Sequence, residues 1–240
     1  MRDFLKEDVL IKATKLALVS TLAVAPSMVD SYFFNPGYRG ILLGRASESL
    51  LPILFVRDLI LVFLSLLISS GCGFAWADGR KVIGVETFDR FREELKTLLW
   101  LGPVLAVGTA LLLDMSLFRH FRGLYPDNPL VALTIPLRAA FFEEVICRFG
   151  ILMIVFRLTR SVPAAVIVSA LFNTLLGLRS ATFVGFPLDF DWLTGRILIS
   201  KMVLASFFGY FYCRKGLMST ISLRFIMELK HVLLPLLISP

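Results

Sequence analysis

Histidine is nearly missing from this chain, with two in 240 residues. Cysteine is scarce as well, with three, and Cys72, Cys147 and Cys213 lie far apart with no CxxC pair. A structural zinc site draws its ligands from these two residue types at short spacings. The scarcity excludes a zinc ribbon or finger, and the scatter of the cysteines excludes a disulfide framework. Charge is thin, at 18% of residues, where a soluble domain carries about 25%. There is no Gly-rich phosphate loop and no RNA-binding signature. The net charge of +7, from 25 Lys/Arg against 18 Asp/Glu, is therefore not a nucleic-acid footprint, and nucleic acid is excluded as a partner.

Apolar side chains fill the space that charge leaves. They make up 57% of the chain, with 22 phenylalanines, and the mean hydropathy is +0.81. Several runs approach or exceed the ~20 residues needed to cross a bilayer core. The expected fold is all-α, a multi-pass transmembrane bundle. Seven embedded segments are expected at roughly 9–29, 50–77, 97–114, 129–158, 162–178, 192–213 and 217–238. The third and fifth are short for a spanning helix and are open to a tilted or re-entrant reading. We divide the chain into 1–96, membrane helices plus a cytoplasmic linker, and 97–240, a membrane core.

Lys12 and Lys15 precede the apolar run LALVSTLAVA, and Ala23-Val24-Ala25 resembles a signal-peptidase site. Pro26 after that site, and Asp3 and Glu7 before it, argue against cleavage, so the run reads as a retained first membrane helix. Basic residues then test orientation. Arg2, Lys6, Lys12, Lys15, Arg80, Lys81, Arg90, Arg92, Lys96, Arg157, Arg160, Arg214 and Lys215 flank the runs on one side; Arg39, Arg45, Arg119, Arg122 and Arg179 lie on the other. The excess predicts a cytoplasmic N-terminus. Within the linker 78–96, Phe88, Phe91 and Leu95 recur with charge between them, after Glu86 or Thr87 as a helix cap. That pattern predicts an amphipathic helix on the membrane surface or a solvated connector.

The stretch FFEEVICRFG, residues 141–150, is out of keeping with its setting. An ionised side chain at mid-bilayer costs about 2.5–3.5 kcal/mol on insertion scales. Glu143 and Glu144 double that cost, and Arg148 offsets only part of it. On a helix the two acids point about 100° apart. Glu144 and Arg148 are spaced to pair along one face, which leaves Glu143 to face a cavity. A carboxylate taken out of water is also a better base. Further polar residues sit in later runs, and Arg138, Glu143, Glu144, Asn173, Arg224 and Glu228 are candidates to line one polar cavity. Arg224 and Glu228 are themselves spaced for an intrahelical pair.

Glu143-Glu144-x-x-x-Arg148, after a small-residue and Phe stretch on a long apolar helix, resembles the glutamate motif of the CAAX-protease and bacteriocin-processing family of intramembrane proteases. The following VPAAVIVSALFNTLLGL looks like the family's next helix, and IGVETF like its short cytoplasmic linker. The resemblance is best over 130–235. It implies hydrolysis of a peptide bond in a membrane-associated protein or peptide, in the cell membrane of a prokaryote or the endoplasmic reticulum of a eukaryote. It implies Glu143 and Glu144 as base and ligand or orienter, His231 as the last-helix histidine, and Arg148 as the residue that fixes the helix. A divalent metal such as zinc would take Glu143, Glu144 and His231.

The sequence departs from the family at one point. The next helix should read Phe-x-x-x-His, but Phe172 is followed by Leu176, and Asn173 is the only amide there. His120 lies in a basic loop and reads as solvated, and Pro235 stands where an asparagine is expected after His231. Three readings follow: an endopeptidase with a degenerate site, a catalytically inactive relative that binds a membrane protein or peptide as scaffold or immunity factor, or an unrelated proton-coupled transporter.

Overall fold

A computed structural model describes residues 7–35, 39, 40, 42, 44, 48–76, 84–114, 129–183 and 192–233. Arg80, Lys81, His120 and Pro235 lie outside them. Among the described residues there are seven helices and no strands. Helix α1, Glu7–Val29, ends in a π turn, Asp30–Phe34. Helix α2, Leu51–Trp76, follows a 3-10 turn at Glu48–Leu50. Helix α3 is Phe88–Thr109, and a π turn, Ala110–Asp114, extends it. Helix α4 is composite. Short α segments at Pro129–Ala132 and Thr134–Arg138 lead into π turns at Ala139–Glu143 and Val145–Leu152, and Met153–Thr159 closes it as α-helix. Helices α5, Val162–Phe183, α6, Trp192–Lys215, and α7, Leu217–Glu228, complete the bundle.

Among the described residues, four helical stretches are long and apolar enough to cross a membrane: Glu7–Phe34, Glu48–Trp76, Phe88–Leu112 and Thr194–Lys215. The 26 residues of α2 extend about 39 Å at ~1.5 Å per residue, more than a hydrocarbon core of about 30 Å. This is an integral membrane protein. Its side chains are arranged as a lipid solvent requires. On α2 the large residues Ile53, Val56, Ile60, Leu61, Leu64 and Ile68 face outward, whereas Ser69, Ser70, Gly71, Cys72 and Gly73 are buried. Lipid tails are as apolar as leucine, so helices gain most from close backbone approach through small residues. At Gly73 an added Cβ would run into the ring of Phe149 on α4, and at Gly150 into Ser69. Phe149 is itself held edge-on by Phe74 at 5.0 Å and Tyr212 at 6.4 Å. Gly73→Val is therefore expected to destabilise the bundle by about 1–3 kcal/mol through overpacking, read as a lower unfolding midpoint in detergent.

The amphipathic stretch around Phe88–Leu95 is not a separate surface helix. It is the first half of α3, which runs unbroken into the third apolar segment. No glycine or proline interrupts it before Gly102-Pro103. Phe91, Leu98, Leu101 and Leu105 form one stripe packed on Phe208 and Phe211 of α6 and Leu223 and Met227 of α7. Thr87 sits at the N-cap position in extended backbone; its carbonyl accepts from Phe91 N–H at 3.0 Å, while its side chain makes no capping bond.

The central helix is α4. From Val145 to Gly150 every residue is buried, and its neighbours are α1, α2, α5, α6 and α7. Gly209 of α6 meets Val166 of α5, Arg90 of α3 reaches the Arg214 carbonyl, and Val9 and Leu10 of α1 line one crevice with Leu67 and Ile68 of α2. These contacts bring the start of α1, the ends of α4 and α6 and the starts of α3, α5 and α7 to one end of the bundle. That end carries Lys12, Lys15, Arg90, Arg157, Arg214 and Lys215.

Candidate active site

The two acids of α4 have different surroundings. Glu144 is fully buried, as is Arg148 one turn on, and Arg148 Nε lies 3.4 Å from Glu144 Oε2. Arg148 Nη2 donates to the Ala205 carbonyl of α6 at 3.1 Å. Neither Glu144 oxygen accepts a hydrogen bond among the described residues. The spacing expected for a helical pair thus appears, and it ties α4 to α6 as well.

Glu143 is the more open acid, with its side chain 29% exposed. Its Oε2 accepts from Arg224 Nη2 of α7 at 3.1 Å and from Asn173 Nδ2 of α5 at 3.4 Å. Donors on two separate helices therefore converge on one oxygen. The Asn173 amide also reaches Cys147 Sγ at 3.4 Å. Arg224 is pinned from three sides: it pairs with Glu143, its Nη2 lies 3.0 Å from Glu228 Oε1, and its guanidinium lies over the Phe208 ring at 5.2 Å. His231 Nδ1 lies 3.1 Å from Glu228 Oε2. The polar groups thus form a chain, from Asn173 through Glu143, Arg224 and Glu228 to His231.

Of the expected site residues, Glu143, Asn173, Arg224 and Glu228 come together. Glu144 and Arg148 form a second, drier pair beside them. His231 reaches the site through Glu228 and Arg224. Phe172 and Leu176 pack against the main apolar core, so leucine fills the place of the missing histidine. Arg138 is exposed and makes no ion pair with Glu143.

One positioning contact has no pattern in the sequence. Ser169 Oγ of α5 donates to the Cys147 carbonyl at 2.6 Å, inside the π-helical stretch that directly follows the acids. Single π turns recur at functional sites, and this buried bond fixes one of their carbonyls. Ser169→Ala is expected to cost about 1 kcal/mol, measured by thermal unfolding, and to lower any Glu143-dependent activity more than that loss accounts for.

Residues 125–229 match the family model for the Rce1-like, type II CAAX prenyl endopeptidases. That segment of the chain is similar to the family. No curated protein and no solved structure matches it. The matched span ends at Leu229, so Arg224 and Glu228 lie within it and His231 beyond it. The similarity is to CAAX-protease-like membrane proteins, over the part of the chain that carries Glu143, Glu144, Asn173 and Arg224.

A divalent metal does not fit the donors present. A site of this kind needs about three protein ligands and an open position. Glu143 Oε2 is taken by two N–H donors, one of them cationic, and Glu144 lies against Arg148. No group of three His, Cys, Asp or Glu side chains among the described residues could surround one ion.

Proposed function

We propose that this protein is a membrane endopeptidase that hydrolyses a peptide bond in a membrane-associated protein or peptide, with Glu143 as general base. The observation that carries the reading is the partly exposed Glu143 with the Asn173 amide and the Arg224 guanidinium converging on it. In this mechanism Glu143 takes a proton from water as the water oxygen attacks the peptide carbonyl carbon. Asn173 and Arg224 turn their N–H groups toward the developing oxyanion, where such donors do most of the electrostatic work. Glu143 then returns the proton to the departing amine, and the C–N bond breaks. Glu144 and Arg148 hold the π-helical turn. Glu228, braced by His231, aims Arg224. No step passes through a metal. The N-terminus and the basic end of the bundle lie on the cytoplasmic side, following the excess of Lys and Arg there.

The test is cleavage of lipid-anchored fluorogenic peptides by the purified protein in liposomes. A second reading, a non-hydrolytic relative that binds such peptides, draws on one specific observation: Arg224 already neutralises Glu143. Binding without turnover in that assay selects the second reading.

A further inference from the structure

The segment before α3 grips the first turn of α7. Leu217 N–H donates to the Gly84 carbonyl at 2.9 Å. Met218 N–H donates to Glu86 Oε2 at 2.9 Å, and Ser219 N–H donates to Glu86 Oε1. These are the first three residues of a helix whose N-cap, Gly216, has no side chain to cap it. Glu86 supplies the cap from more than a hundred residues away, and it brings a negative charge to the positive end of the helix. Glu86 is buried. Gly216 is matched to it: its φ of 99° suits glycine, and a Cβ there would collide with the Glu86 carboxyl group. Two flanking links reinforce the grip. Arg90 Nη2 donates to the Arg214 carbonyl at 3.1 Å, and Lys215 Nζ lies 2.6 Å from Glu94 Oε1.

Apolar contacts between membrane helices are not directional, so they resist sliding along the helix axis poorly. Hydrogen bonds to a helix end are directional. Arg224 sits about 10 Å along α7 from Leu217, at ~1.5 Å per residue. Any axial slip of α7 carries Arg224 and Glu228 past Glu143, and a misplacement of about 1 Å can cost a hundredfold in rate. We propose that Glu86 is a positioning residue: by capping α7 from the linker, it sets the register of that helix and so holds Arg224 against Glu143. Its effect on turnover rests on the endopeptidase reading; its effect on α7 does not.

The experiment uses the full chain in nanodiscs and a register reporter near the site. A Cβ added at Gly102 of α3 would overlap the Ile226 side chain of α7; the Gly102→Cys/Ile226→Cys pair trims that side chain, and after a small separation of the two helices its thiols should form a disulfide on mild oxidation. Adding Glu86→Ala should cut the cross-link yield severalfold. It should also speed amide exchange at Met218 and Ser219 by about tenfold, the scale of a lost cap. Glu86→Gln keeps the size and one acceptor oxygen and should recover part of both signals. In the cleavage assay Glu86→Ala should lower kcat with KM nearly unchanged, whereas a merely structural role would leave the kcat of the folded fraction intact. Wild-type cross-linking and exchange in Glu86→Ala would overturn the proposal, whatever the activity. A wild type that cleaves nothing, while both signals still respond to Glu86, would instead sink the endopeptidase reading alone. If Glu86→Ala fails to fold, Glu86→Gln carries the same two measurements, and wild-type values for both would overturn the proposal.

Discussion

Arg148→Met should destabilise the bundle by about 3–5 kcal/mol, the usual cost of removing one member of a buried ion pair. Both Arg148 and Glu144 are fully buried. The substitution leaves the Glu144 carboxylate in an apolar interior with its ion-pair partner gone, since neither of its oxygens accepts a hydrogen bond among the described residues. It also removes the Arg148 bond to the Ala205 carbonyl, which joins α4 to α6. Methionine fills a similar volume, so the loss reflects charge more than a void. The double variant Glu144→Met/Arg148→Met removes both charges and should recover most of the stability. Unfolding midpoints in detergent read both effects. A single variant as stable as wild type would show that the pair does not hold this helix.

Glu143→Gln should lower peptide cleavage by about 10²–10⁴-fold, the contribution of a general base, while the fold survives. Arg224 keeps Glu228 at 3.0 Å and the Phe208 ring beneath it. The glutamine carbonyl can still accept from Asn173 and Arg224, so binding of the lipid-anchored peptide should change little. The contrast between kcat and KM is the informative quantity. A folded Glu143→Gln protein that cleaves at the wild-type rate rules Glu143 out as the base. On the non-hydrolytic reading, neither protein cleaves, and both bind alike.

Much of this architecture is legible in a pattern of local character. The apolar runs mark the helices, because a bilayer demands about twenty apolar residues in sequence. The Glu144–Arg148 pair follows from helical spacing alone. Arg224 and Glu228 are legible as a pair on one helix, and Asn173 as the only amide in its run. His231 is linked to Glu143 through Glu228 and Arg224. Its contact is Glu228, and the position facing Glu143 from the last helix belongs to Arg224. The surface helix expected at Phe88–Leu95 is half of a longer one, because the chain there has no breaker and its apolar stripe finds α6 and α7.

The sequence by itself determined that this is a helical membrane protein, which helix carries two acids, and which arginine on that helix answers one of them. Each of these depends on residues within a turn or a span of one another. Only the tertiary structure decided that Arg224 and Asn173 meet at one oxygen of Glu143, that Gly73 makes room for Phe149, and that Glu86 caps a helix far along the chain. Those pairings depend on how far each helix is shifted and turned against its neighbours. Apolar faces constrain that shift only weakly, and a few directional bonds between distant residues settle it.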